Sequence, residues 1–207
     1  QSDSTKLVRN CMRDSDIDTK QYSPKRIQAH ISSLKNQRIL PGEAVEFAQS
    51  FFDVKVAEIY SSYQKKLMLA NSMDFDDLLI KAVELLETSD KSLNYWSSKF
   101  QYIMIDEYQD TNMVQYRLVE LLASKHKNIC VVGDSDQSIY AFRGADIRNI
   151  EEFESDFKDA KVISLEKNYR SSQKILDIAN AVISNNPRKK DKKLWTDNDE
   201  GLDVNLV

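Results

Sequence analysis

The chain has 207 residues, 41% of them hydrophobic and 30% charged, enough for one domain, or one and a half, around a real buried core. Its net charge of −4 excludes a protein that coats nucleic acid by bulk electrostatics, so any nucleic-acid contact has to be local. No apolar run reaches the ~20 residues that span a bilayer and no signal peptide opens the sequence, while Cys11 and Cys130 form no disulfide framework, a usage that suits a reducing cytoplasm.

The first half reads as helical. Ser23-Pro24 is a helix start, a capping hydroxyl followed by proline at the first helical position, and Ile27, Ile31 and Leu34 follow at helical spacing. Leu40-Pro41-Gly42-Glu43 breaks the chain. A long helix is expected next, with Ala44, Phe47, Ala48 and Phe51 on one face and Ile59, Tyr63 and Leu67 further on. Asp74 is expected to cap the following helix, with Asp76 and Asp77 at the positive end of its dipole and Leu78, Leu79, Ala82, Leu85 and Leu86 as its buried stripe. His30 and His126 have no second ligand nearby and receive no role.

After Lys99 the pattern changes to alternating strand and helix, the signature of a parallel sheet. The expected strands are Tyr102–Asp106 and Ile129–Gly133, both buried, with Cys130 a small buried hydrophobe, and a third at Val162–Leu165. The expected helices run from Thr111 to Ser124 with Val114, Leu118, Leu121 and Leu122 inward, near Ile147–Phe157, and from Ser171 to Asn185, capped by Ser171 or Ser172. The run Arg188-Lys189-Lys190-Asp191-Lys192-Lys193 reads as a basic, solvated turn.

Three strand ends deliver polar clusters: Asp106-Glu107, Gly133-Asp134-Ser135-Asp136-Gln137, and Asn168-Tyr169-Arg170. Ligands of open α/β sheets gather outside the carboxyl ends of the strands. A carboxylate there can hold Mg²⁺ and its neighbour can take a proton from an attacking water. On these residues alone the alternative also stands, a strand that merely exits into solvent through two acids. Acids, an amide and a cation together would suit phosphoryl transfer. Tyr140 and Phe142, alternating with small residues before Arg143, either form a platform for unpaired bases or pack into the domain.

The stretches DEYQDTN, VVGDSDQSIYAFRGAD, LEKNYRSS, MDFDDLL and KKLWTDN resemble motifs of the UvrD/PcrA/Rep family of superfamily 1 DNA helicases. The resemblance runs through essentially the whole chain. It implies an α/β fold, a partial RecA-like parallel sheet preceded by an all-helical subdomain. Residues 1–72 would be part of the helical 1B subdomain, 73–165 the C-terminal part of the RecA-like 1A domain, and 166–207 the start of 2A.

Position by position, the resemblance implies that Asp106 binds Mg²⁺, with Glu107 beside it at the metal as the base that activates water. Gln137 would contact the γ-phosphate, Arg170 would act as an arginine finger and Tyr169 would stack on adenine. Tyr140, Phe142 and Arg143 would line a single-strand track. Trp is common in the family where Phe142 stands here, which keeps the stacking face with less area.

The implied cofactors are ATP and Mg²⁺. The implied partners are single-stranded DNA, single-/double-strand junctions and replication or repair proteins, in a bacterial, nucleoid-associated cytoplasmic setting. The glycine-rich loop GxxxxGKS or GxxxxGKT is missing from this sequence, as are the family's C-terminal motifs. The expectation is therefore a helicase fragment, inactive alone. A helicase part of a RecB/AddA-like helicase–nuclease and a non-catalytic interaction module remain as alternatives.

Overall fold

A computed structural model describes residues 2–186 and 192–205, with the backbone only for Ser2 and Arg143. The chain divides into two compact units, residues 1–152 and 153–207.

The first unit begins with helices α1 (Ser2–Asp14), α2 (Pro24–Asn36) and α3 (Phe51–Leu69). They pack on one another around Val8, Cys11, Met12, Ile27, Ile31, Val56, Ile59, Tyr60 and Tyr63. On α3 the buried residues Val56, Ile59, Tyr60, Tyr63 and Leu67 fall at the i, i+3, i+4, i+7 spacing of one helical face. Each such side chain stabilises the bundle by about 1.5–3 kcal/mol on burial.

The helix start differs from expectation. Residues 41–47 form turns and α3 begins only after Ser50, whose hydroxyl accepts from the Asp53 amide at 3.2 Å. A side-chain cap outweighs the apolar spacing of the preceding residues. Phe47 and Phe51 consequently lie exposed, and only Ala44 of that stretch is buried.

Helices α4 (Phe75–Thr88), α5 (Asp90–Lys99) and α6 (Met113–Ala123) enclose a second core of Val83, Leu86, Val114 and Leu121, flanked by Leu79, Ile80, Trp96, Leu118 and Leu122. Asp74 caps α4 in a reciprocal box with Asp77, as expected. The buried stripe is rotated from the expected one: Leu78 and Leu85 face solvent and Val83 takes their place inside. Several apolar residues on one helix leave more than one 100°-wide face available, and only the neighbouring helix selects among them.

Strand β1 (Ile103–Ile105) follows α5 and strand β2 (Ile129–Val131) follows α6; the two pair in parallel, with Ile103 opposite Ile129, Met104 opposite Cys130 and Ile105 opposite Val131. The α/β expectation with a preceding helical part holds. Burial on both faces does not: Tyr102 and Met104 are 79% and 78% exposed, and Cys130 is exposed rather than buried. Alternate residues of a strand point to opposite faces, and here one face of the pair is open.

Short helix α7 (Arg148–Glu151) closes the first unit. The second contains α8 (Phe153–Asp156) and α9 (Gln173–Ile183). The single helix expected near Ile147–Phe157 is thus interrupted at Glu152, in a run where Glu151, Glu152, Glu154 and Asp156 repel one another. The expected strand Val162–Leu165 has no regular secondary structure, and Val162, Ile163 and Leu165 are exposed. A strand requires a partner edge, and among the described residues this unit offers a single parallel bridge, Lys167 to Trp195. Ser172 is the N-cap residue of α9 but makes no side-chain cap. Arg188 to Asp191 of the expected basic turn lie outside the described residues. No helix among the described residues is long and apolar enough to cross a membrane.

Candidate active site

The parallel pairing of β1 and β2 sets their carboxyl ends side by side, so the segments after Ile105 and Val131 leave the sheet together. The Val132 amide donates to the Ile105 carbonyl at 2.8 Å and the Tyr108 amide to the Val132 carbonyl at 3.0 Å, lacing the two exits. Asp106 and Glu107 stand at the first exit, both exposed. The Glu107 amide donates to Asp106 Oδ1 at 2.9 Å. Glu107 itself adopts the left-handed conformation, φ 49° and ψ 43°, a sparsely populated state for a side-chain-bearing residue that costs about 1–3 kcal/mol. It ends the strand abruptly and starts the 3₁₀ turn Tyr108–Asp110.

The first two clusters are joined by hydrogen bonds. Gln109, 1% exposed, donates from Nε2 to Glu107 Oε2 at 2.7 Å and accepts at Oε1 from the Asp134 amide at 3.0 Å. Asp134 in turn accepts the Asp136 amide at Oδ1 (3.0 Å) and Gln137 Nε2 at Oδ2 (2.9 Å), which shapes the 3₁₀ turn Ser135–Gln137. Gly133 admits this arrangement. A Cβ there would lie 2.5 Å from Gln109 Oε1 and 2.9 Å from Ile150 Cδ1, inside van der Waals contact.

Thr111 anchors the other side. Its carbonyl accepts from the Asp146 amide at 2.9 Å and from Asn149 Nδ2 at 3.0 Å.

Tyr140 and Phe142 flank the start of the 3₁₀ turn Ala141–Arg143, their ring centroids 5.9 Å apart and tilted by 37°. Phe142 is 78% exposed and Tyr140 half-buried, so the packing alternative fails for Phe142. The turn ends on Gly144 at φ +88°, where a Cβ would meet Asn36 Cβ at 3.1 Å. Arg143 occupies the last position of the turn.

Tyr169 and Arg170 belong to the second unit and are described within it. Asn168 Oδ1 accepts the amides of Arg170 and Ser171 at 2.9 and 2.8 Å, a side-chain-closed turn that leaves both following side chains exposed. Lys167 Nζ lies over the rings of Tyr169 and Trp195, 5.3 and 5.1 Å from their centroids. It also pairs with Asp197, which raises its pKa above the ordinary lysine value.

The structure therefore brings together Asp106, Glu107 and Gln137, and separately sets Tyr140 beside Phe142. Sequence reasoning missed Gln109, the residue that makes the first connection. Its only signal was an amide two positions after a carboxylate at a strand tip. Nothing in composition distinguishes that from a solvated turn residue.

Two family profiles match the chain: one described as "UvrD/REP helicase N-terminal domain" over residues 1–158, and one described as "UvrD-like helicase C-terminal domain" over residues 163–207. Among curated relatives, the chain is similar to the protein named "ATP-dependent DNA helicase PcrA" of Bacillus subtilis (strain 168). The two are 47% identical over 203 residues, covering 98% of this chain and 28% of the relative. The like-named protein of Staphylococcus aureus (strain Mu50) is 48% identical over 200 residues, covering 97% of this chain and 27% of the relative. The chain thus spans little more than a quarter of the length of these relatives. With both profiles laid end to end along it, the chain belongs to the UvrD/REP helicase family.

Proposed function

We propose that this chain supplies part of the ATP-hydrolysing and DNA-gripping machinery of a 3′→5′ DNA helicase working in repair or replication. In it, residues 1–72 belong to a 1B-like helical subdomain, 73–165 to the end of a RecA-like 1A domain and 166–207 to the start of 2A. The observation that carries the reading is the hydrogen-bonded path from Glu107 through Gln109 and Asp134 to Gln137. It gives a carboxylate and an amide a fixed relationship at the tips of a parallel strand pair, where nucleotide chemistry is done.

Mg²⁺ is held in NTPase sites by one or two carboxylates together with substrate phosphates. Asp106, exposed beside Glu107 and with Oδ1 committed to one backbone amide, fits that donor set. The ion would neutralise charge on the phosphates of ATP. Glu107 then accepts a proton from the attacking water at its carboxylate, and Gln137 senses the γ-phosphate. Arg170 offers a guanidinium that makes no ion pair among the described residues, suited to the charge that builds in phosphoryl transfer. Tyr169 offers an exposed ring face to adenine. Tyr140, Phe142 and Arg143 grip single-stranded DNA and its junctions with duplex. A cytoplasmic, nucleoid-associated setting follows from such a substrate.

ATPase assays of the full-length protein and of the 207-residue chain test this. The full-length protein is expected to hydrolyse Mg-ATP with stimulation by single-stranded DNA, and Glu107→Gln to abolish turnover while nucleotide still binds. The isolated chain, whose sequence holds no glycine-rich phosphate loop ending in Gly-Lys-Ser or Gly-Lys-Thr, is expected to show no turnover. Robust hydrolysis by the isolated chain or by the Glu107→Gln protein would overturn the reading.

A further inference from the structure

We infer that Gln109 is the positioning residue of the hydrolytic centre: its side-chain amide aims the Glu107 carboxylate and ties that aim to the seating of the Asp134–Gln137 turn. The inference rests on the proposed role of Glu107 as the base.

An exposed glutamate at a strand tip has several rotamers of similar energy, and a base must be held in one of them to act on a water. Gln109 supplies the restraint. Its amide is directional: the oxygen faces an N–H donor, the Asp134 amide, and the nitrogen faces a carboxylate acceptor, Glu107. Rotating the carboxamide by 180° would set donor against donor and oxygen against oxygen, so a single orientation survives. The side chain is fully enclosed, so leaving either end unpaired would be costly. Its own carbonyl accepts from Ser138 Oγ at 3.3 Å, which fixes the backbone from which the amide projects. Gly133 completes the fit, since any larger residue would occupy the space of Gln109 Oε1.

The same bonds give the amide a second consequence. Gln137 is held by Asp134 Oδ2, and the backbone amide of Asp134 holds Gln109. A shift of the Ser135–Gln137 turn therefore reaches Glu107 through adjoining hydrogen bonds. The turn leads directly to Tyr140 and Phe142, so the loop proposed to touch DNA and the proposed base share one amide.

The test uses the full-length protein with Gln109→Leu, Gln109→Glu and Gly133→Ala, read by DNA-stimulated ATPase kinetics, titration with a fluorescent ATP analogue and thermal melting. Gln109→Leu is expected to lower kcat by about 10²-fold, the scale of a misplacement of catalytic geometry, with KM and analogue affinity unchanged. Gln109→Glu keeps the acceptor for the Asp134 amide but presents a carboxylate to Glu107, so it should not rescue kcat. If the side chain served only to seat the turn, Gln109→Glu would rescue. Gly133→Ala displaces the amide without deleting it and is expected to reduce kcat in the same selective way.

Wild-type kcat in Gln109→Leu, rescue by Gln109→Glu, or losses that track nucleotide affinity or melting temperature would each overturn the inference. A wild-type protein without DNA-stimulated ATPase would instead count against the proposed function.

Discussion

Asn112 Nδ2 donates to Asn36 Oδ1 at 2.8 Å, a buried bond between residues 76 positions apart. It joins the last turn of α2 to the residue that caps α6. Asn112 also accepts the Gln115 amide at 2.9 Å while Gln115 Oε1 accepts the Asn112 amide at 2.9 Å, completing a capping box. The side chain thus serves a helix start and a long-range contact at once. Asn112→Ala loses the cap, about 1 kcal/mol, and leaves the Asn36 oxygen without its donor, about 1–3 kcal/mol more. Urea unfolding should therefore show a loss of about 2–4 kcal/mol. Asn112→Ser, which keeps a cap acceptor but cannot reach Asn36, should fall between the two. If the serine variant matches wild type, the contact with Asn36 contributes nothing.

Lys35 is a buried cation, its side chain 1% exposed, with Nζ 2.7 Å from Asp74 Oδ2 and 2.8 Å from Asp77 Oδ1. Tyr63 adds a hydrogen bond to Asp74 at 2.9 Å and Gln64 one to Asp77 at 3.0 Å. α2, α3 and the start of α4 meet at this cluster. Replacing the cation alone strands two acids in the interior, so Lys35→Met should destabilise at neutral pH by about 3–5 kcal/mol, read from urea midpoints.

The pH dependence of that difference has a definite sign. Burial pushes the Asp74 carboxyl up, but the Lys35 ammonium together with the Asp77 amide and the Tyr63 hydroxyl more than offsets it, and the folded pKa lies below the ordinary 3.8. A depressed carboxyl contributes stability that is present above its unfolded pKa and is lost as pH falls through the folded one. The wild-type advantage over Lys35→Met should accordingly hold at pH 7 and shrink below pH 3.8. An advantage that grows on acidification would contradict this placement of the charges.

Phe142 is 78% exposed, and its removal should leave the fold intact. If it stacks on an unpaired base, Phe142→Ala should weaken single-stranded DNA binding by the full-length protein by about 1–3 kcal/mol, roughly five- to 150-fold. Phe142→Trp should strengthen it through the larger ring. Fluorescence anisotropy with an oligonucleotide measures both, and equal affinity in all three proteins would remove Phe142 from the DNA track.

How much of this was readable beforehand follows from what each feature depends on. The Asp74 cap and the helix start at Pro24 are set by residues within a few positions and appear where the sequence places them, although Ser23 makes no side-chain cap and the strands end early, at Ile105 and at Val131 rather than Gly133. The face of α4 that turns inward, the exposure of Cys130 and the unpaired state of Val162–Leu165 depend on distant neighbours, which periodicity does not carry. At the site, the acids and Gln137 were legible as polar residues at strand ends. The link between them was not, because Gln109 works by facing two groups that approach only when β1 and β2 pair.

The open side of that strand pair gives the molecule a chemical footprint of its own. Met104 and Cys130 lie opposite each other on it, and the Cys130 thiol meets solvent while Cys11 is sealed inside the helical bundle. A maleimide should therefore label the native chain at one cysteine, and label the second only on unfolding. Because the reactive thiol sits on the sheet and not at its tips, its labelling rate reports whether anything has come to rest against that surface, independently of events at Glu107.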